Sequence, residues 1–228
     1  MNLPPPADDA LREDGQASYS RAEAASKIGH AERAVVSAQL GRPARGDIAV
    51  AHRCIYGLPT VVRVSPRLED GTPFPTVFWL VCPLARRRVG RMESEGSMTA
   101  VNQRLARDST LAAGYEAAAE RYIAFRDRID APLPGTPAAG GMPTYVKCLH
   151  VQVAHFLATG DNPVGAGTYH ELAPMPCPGP CVDEQILAAA YGSLPPPSAF
   201  PGGWTAAAPP QERPRPSQRG TSAPQAGA

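Results

Sequence analysis

The stretch Asp47-Ile48-Ala49-Val50-Ala51-His52-Arg53-Cys54 alternates in character, and its reading decides the fold. Ile48, Val50, His52 and Cys54 fall on one face, and Asp47, Ala49, Ala51 and Arg53 on the other. A period of two marks an extended chain, because successive side chains point to opposite sides. Gly57-Leu58-Pro59 then makes a turn, and residues 60–65 read as a second strand. Asp70-Gly71-Thr72-Pro73 is another turn. Pro75-Thr76-Val77-Phe78-Trp79-Leu80-Val81-Cys82 follows as a continuous apolar run of strand length. That pattern suits a central strand covered on both faces, with Trp79 buried at its middle. Three strands with short turns predict an antiparallel meander.

Helical patterns surround this unit. Residues 31–40 carry one, stopped by Gly41 and Pro43. After Pro83, residues 84–95 form an arginine-rich helix, and Ser97 caps another with Met98, Val101 and Leu105 as its stripe. Asp108 or Ser109 caps the next, where Leu111, Tyr115, Ala118, Tyr122, Phe125 and Ile129 recur at spacings of three and four. Residues 131–143 read as a Pro/Gly linker. Pro143 then opens a helix running to about residue 159, ended by Gly160, Asn162 and Pro163. Residues 169–172 add at most one helical turn, and 181–191 a short terminal helix. The expected class is α+β: a small three-stranded antiparallel sheet with four or five helices and disordered Pro/Ala-rich tails.

Composition sets the limits. The chain has 228 residues, 27 of them proline, with proline concentrated at both ends. Such segments bury too little apolar surface to offset chain entropy. Residues 1–29 and 176–228 are therefore expected to be disordered tails around a single domain at 30–175. A net charge of +1 gives no electrostatic case for nucleic acid. The basic cluster Arg86-Arg87-Arg88 with Arg91 reads as a solvated helix face. No basic segment followed by an apolar stretch opens the chain, and no apolar run reaches the ~18–20 residues of a membrane span. A cytoplasmic protein without membrane insertion is expected, its five cysteines being thiols or metal ligands rather than disulfides.

The candidate site gathers soft ligands from separate segments. Cys54 ends the first strand, Cys82 the third, and Cys148 opens the late helix. One of His150, His155 or His52 would complete a tetrahedral zinc set at ~2.0–2.3 Å. In a meander the first and third strands run the same way, so Cys54 and Cys82 can meet at one sheet edge. On an ideal helix over 144–159, Cys148 and His155 share a side but lie two turns apart, about 10.5 Å. No other cofactor is indicated. Two further readings stay open. Cysteine is among the most buried residue types, so these thiols can be plain core. Cys148, beside Lys147 in the first turns of a helix, can instead be a nucleophile with His150 or His155 as base. Cys177 and Cys181, a C-x3-C pair in a Pro-rich segment, can chelate a metal, close a small loop or be incidental.

Taken together, several motifs resemble the domain of unknown function 501 family, mostly actinobacterial proteins, over roughly residues 35–173. They are Gln39-Leu40-Gly41-Arg42, Arg53-Cys54 with Gly57-Leu58-Pro59, Asp70-Gly71-Thr72-Pro73-Phe74-Pro75-Thr76 and Cys82-Pro83. Gly140-Gly141-Met142-Pro143, Val146-Lys147-Cys148-Leu149-His150, Ala154-His155 and Asn162-Pro163-Val164-Gly165 complete the set. The resemblance implies no established activity. Genes of the family often lie near those for a septum-formation initiator, enolase and an exopolyphosphatase, which implies a cell-division or envelope context. The leading expectation is a Cys/His site, with zinc as the metal, in a binding or regulatory role towards a protein partner. An enzyme using a Cys/His metal or the Cys148 thiolate is one alternative. An adaptor with purely structural cysteines is the other.

Overall fold

The computed structural model describes residues 19, 20, 22–173 and 177–192. Its elements run α1 (His30–Leu40), β1 (Ile48–Arg53), β2 (Pro59–Val64), β3 (Phe78–Leu80), α2 (Pro83–Ser94), α3 (Ser97–Leu105) and α4 (Ser109–Ile129). A 3-10 turn (Ala139–Gly141), α5 (Leu149–Thr159), α6 (Pro163–Leu172) and α7 (Glu184–Tyr191) follow.

The strands form an antiparallel meander in the order β1-β2-β3. The α+β class is as expected. The alternation read along β1 does not survive, because register shifts at Val50/His52 and His52/Arg53 bulge the strand. The apolar run at 75–82 is not a central strand. The strand proper is Phe78–Leu80, extended by Val77 and Val81 hydrogen bonds to β2, and it lies along one edge while β2 holds the middle. Its two faces are nonetheless both covered. Val61, Phe78 and Leu80 point into the main core with α4 and α5. Val62, Val81 and Ile48 pack against Val36 of α1, with Trp79 partly buried at that cluster's margin. Phe78, not Trp79, is the fully buried aromatic of the strand.

The main core is built around the stripe expected on α4. Tyr115, Ala118, Tyr122 and Phe125 are all fully buried, and Asp108 caps the helix by accepting Leu111 N–H at 2.9 Å. Tyr122 also fastens the sheet: its hydroxyl accepts Val77 N–H at 2.8 Å and donates to Pro75 O at 3.1 Å.

Seven α-helices of eight residues or more appear among the described residues, more than the four or five expected. Asn162 and Pro163 not only follow α5 but start α6. The Asn162 side chain accepts Gly165 N–H at 2.8 Å, and proline occupies the first helical position. The α5 and α6 backbones then approach so closely that a Cβ on Gly165 would stand 2.1 Å from Gln152 O.

The late helix also begins later than expected, at Leu149. Asn102 of α3 is the cause. Its amide accepts Val146 N–H at 2.7 Å and donates to Val146 O at 3.0 Å, holding that residue out of the helix. Cys148 is thus the N-cap, with φ −154° and ψ 116°, and not a helical residue.

Two packed segments lie outside the 30–175 span. Tyr19 and Ala22 belong to the main core, and α7 seats Leu187 against Val35 and Leu58. The tail readings for 1–18 and 193–228 fall outside the described residues. Among the described residues no helix is long and apolar enough to cross a membrane.

Candidate metal centre

Because Cys148 stands off the end of α5, its side chain meets His150 two residues on. Residues i and i+2 inside a helix would point to opposite sides. Cys148 Sγ lies 3.9 Å from His150 Nδ1, and that nitrogen lies 3.2 Å from Glu93 Oε1 on α2. Ligand atoms of the three residues all fall within 4.8 Å of one another, the one such group of three among the described residues. All three side chains are half-buried, so the site is open to solvent on one side.

The surroundings orient each group. Glu93 Oε1 accepts Leu149 N–H at 2.6 Å, which satisfies a free donor at the start of α5 and fixes the carboxylate beside Cys148. His150 Nε2 lies 3.0 Å from Arg86 O. A carbonyl only accepts, so Nε2 carries the proton and Nδ1 is the nitrogen offered to Cys148 and Glu93. A backbone carbonyl on the far nitrogen is the usual device for presenting a histidine to a metal. Without an ion, the hydrogen bond with Cys148, then Glu93 and Arg86 O, push the imidazole pKa up to about 9 against the opposing effect of burial.

Carboxylate, thiol and imidazole together suit zinc, and three protein ligands leave a fourth tetrahedral position for water or an incoming group. Such a position supports Lewis-acid chemistry or capture of a partner's donor atom.

The other expected ligands lie elsewhere. His155 is fully buried between Phe78 and Tyr122. Asn162 Nδ2 donates to its Nδ1 at 3.1 Å, so its Nε2–H faces the Tyr19 hydroxyl. Both nitrogens are taken, and burial holds its pKa down to about 4. His52 sits on bulged β1, where burial likewise lowers its pKa to about 4. Cys54 and Cys82 line a cavity with Cys177 and Cys181, apart from Cys148. The shared shell expected for Cys54, Cys82 and Cys148 does not form: the group at Cys148 contains neither of the other two thiols. Glu93 went unforeseen, since a glutamate on an arginine-rich helix looks like part of a solvated face.

The family model described as protein of unknown function (DUF501) matches residues 50–170, more than half of the 228-residue chain. The chain belongs to this family. No curated protein and no solved structure matches it. Within the DUF501 segment lie Cys54, Cys82 and the whole Glu93/Cys148/His150 group, whereas Cys177 and Cys181 lie beyond it.

Proposed function

We propose that this protein binds one zinc-class ion through Glu93, Cys148 and His150 and acts in a binding or regulatory role, the fourth coordination position receiving a donor from a protein partner. The carrying observation is the three-ligand group within 4.8 Å, with Arg86 O holding the far nitrogen of His150. The setting is cytoplasmic, where five free cysteines suit a reducing compartment. Cell division or the envelope is the context that the family resemblance suggests.

Metal analysis of the full chain, purified without a histidine tag, tests the reading. Bound zinc that falls by one equivalent in Cys148→Ser supports it. Zinc content unchanged by that substitution sinks it.

A second reading rests on the same pair. Cys148 beside His150 at a helix N-cap is also the layout of a thiol nucleophile with its base. It takes the lead if no ion depends on Cys148 and an alkylating probe modifies that thiol far faster than the other four.

A further inference from the structure

Four of the five cysteines line one cavity that does not include Cys148. Cys54 leaves the end of β1, Cys82 is the residue before α2, and Cys177 and Cys181 precede α7. All four line one cavity of about 20 Å³. That is room for a single small species, since a water needs roughly 10–15 Å³ on this measure. The thiols are near enough to act on one another electrostatically: Cys54 with Cys82, Cys177 and Cys181, and Cys181 with Cys82 and Cys177.

Without an ion, burial pushes the thiols of Cys54, Cys82 and Cys177 up, and nearby backbone groups partly offset that rise. Cys54 sits in a tight turn in which Gly57 N–H returns to Cys54 O at 2.9 Å, and the nearby N–H groups of Tyr56 and Leu58 favour charge on its sulfur against the larger effect of burial. Burial pushes the Cys82 thiol up to about 11, and the free N–H groups of Leu84 and Ala85 at the start of α2 work against that rise without forming a cap hydrogen bond to the sulfur. Gln39 Nε2 donates to Cys181 Sγ at 3.4 Å. A donor such as Gln39 Nε2 stabilises a thiolate and tunes the metal it holds. Two further polar atoms belong to the same cavity wall. Gln39 and Thr60 both line it and are almost completely buried, yet Gln39 Oε1 and Thr60 Oγ1 have no hydrogen-bond partner. Buried polar atoms without partners are costly, and both of these belong to residues that line the cavity of the four thiols.

We infer that Cys54, Cys82, Cys177 and Cys181 form a second, independent site, a tetrathiolate centre for one zinc-class ion. Four sulfurs and no nitrogen select a soft or borderline tetrahedral ion, and the small cavity takes one ion rather than an iron–sulfur cluster. Sulfurs at about 2.3 Å from a central ion stand about 3.8 Å apart. No three of these sulfurs yet lie within 4.8 Å of one another, so the ring must contract as an ion enters. The segment able to do so is 177–181. It has no regular structure and is fastened by side chains, including Tyr56 Oη donating to Cys177 O at 3.0 Å. The ion would join the sheet, α2 and the approach to α7, tying the C-terminal helix to the body of the domain.

Cobalt(II) titration of the reduced full chain tests this, because thiolate ligands produce near-ultraviolet charge-transfer bands whose strength follows the number of sulfurs. The Cys148→Ser/His150→Ala double variant isolates the centre from the ion proposed at Glu93. It is expected to bind one cobalt with the full tetrathiolate spectrum and to release it to zinc. Adding Cys177→Ser and Cys181→Ser is expected to abolish those bands, while circular dichroism shows the fold retained. The inference is overturned if the double variant shows no sulfur-to-cobalt bands, if those bands survive loss of Cys177 and Cys181, or if native protein carries acid-labile sulfide or a disulfide among these four. Each result leaves the Glu93/Cys148/His150 reading standing or falling by its own substitutions.

Discussion

His150 donates its Nε2–H to the carbonyl oxygen of Arg86 at 3.0 Å, and this contact between α5 and α2 decides which nitrogen faces Cys148 and Glu93. Replacing His150 with alanine removes one of the three proposed ligands and, on the proposed reading, is expected to lower zinc affinity by at least about 10–100-fold, a loss seen even for groups that only orient ligands. Competition with a chromogenic chelator measures it. Glu93→Gln should weaken the ion too, while retaining an oxygen to accept Leu149 N–H. Equal affinity in wild type and Glu93→Gln would remove Glu93 from the ligand set.

Gly165 is expected to tolerate no side chain. Its Cβ would meet Gln152 O at 2.1 Å and Phe156 Cβ at 2.8 Å, and the first of these is helix backbone that cannot step aside. Gly165→Ala should cost about 1–3 kcal/mol or more, as overpacking does. Urea denaturation reads it directly. A stability within about 0.5 kcal/mol of wild type, the range of ordinary surface changes, would mean that α5 and α6 are further apart than described.

The two aromatic neighbours on β3 separate by face. Phe78 is fully buried and stacks on Phe125 at 5.1 Å, whereas Trp79 is half-buried and stacks on Phe74 at 5.5 Å. Phe78→Ala should therefore cost about 3–5 kcal/mol, the range for deleting a core aromatic, and Trp79→Ala clearly less. The reverse order in thermal melts would invert the sheet.

Acid stability should depend on His155. Its folded pKa of about 4 lies below its ordinary value of 6.5. Between those values the unfolded chain binds a proton that the folded chain refuses. The stabilisation is whole above pH 6.5 and is lost as pH falls towards 4, with a slope approaching about 1.4 kcal/mol per pH unit. His155→Phe isolates this contribution as the difference between two stability–pH profiles. Parallel profiles would show that His155 is protonated inside the fold.

Much of the fold was legible from residue order. The alternation at 47–54, the apolar run at 75–82 and the turn residues between them placed the three strands, and the α4 stripe from Tyr115 to Phe125 named the core. What was not legible depended on distant partners. The bulge after Val50 breaks a face that alternation alone would keep flat. Val146 is held outside the helix by Asn102, 44 residues earlier, and Cys148 stands at the N-cap of α5. Cys54 and Cys82 do share a cavity, as the meander suggested, but they meet the C-terminal thiols rather than Cys148. No spacing rule relates Glu93 to either group, because helix packing and not helix periodicity brings it there.

The seating of α7 on α1 bears on how this protein can be handled. Leu187 covers Val35 and Leu58, Tyr191 donates to Glu32 at 2.8 Å, and Glu32 also holds Arg53 at 2.7 Å. A recombinant fragment trimmed to the family-matched residues 50–170 would lose both helices together with the first two residues of β1. Val62 and Val81 would be left uncovered along one side of the sheet, beside a β1 edge with no Lys27 bridge to occupy it. Apolar surface next to an open strand edge invites self-association, so such a fragment should precipitate where a piece spanning 19–192 stays monodisperse.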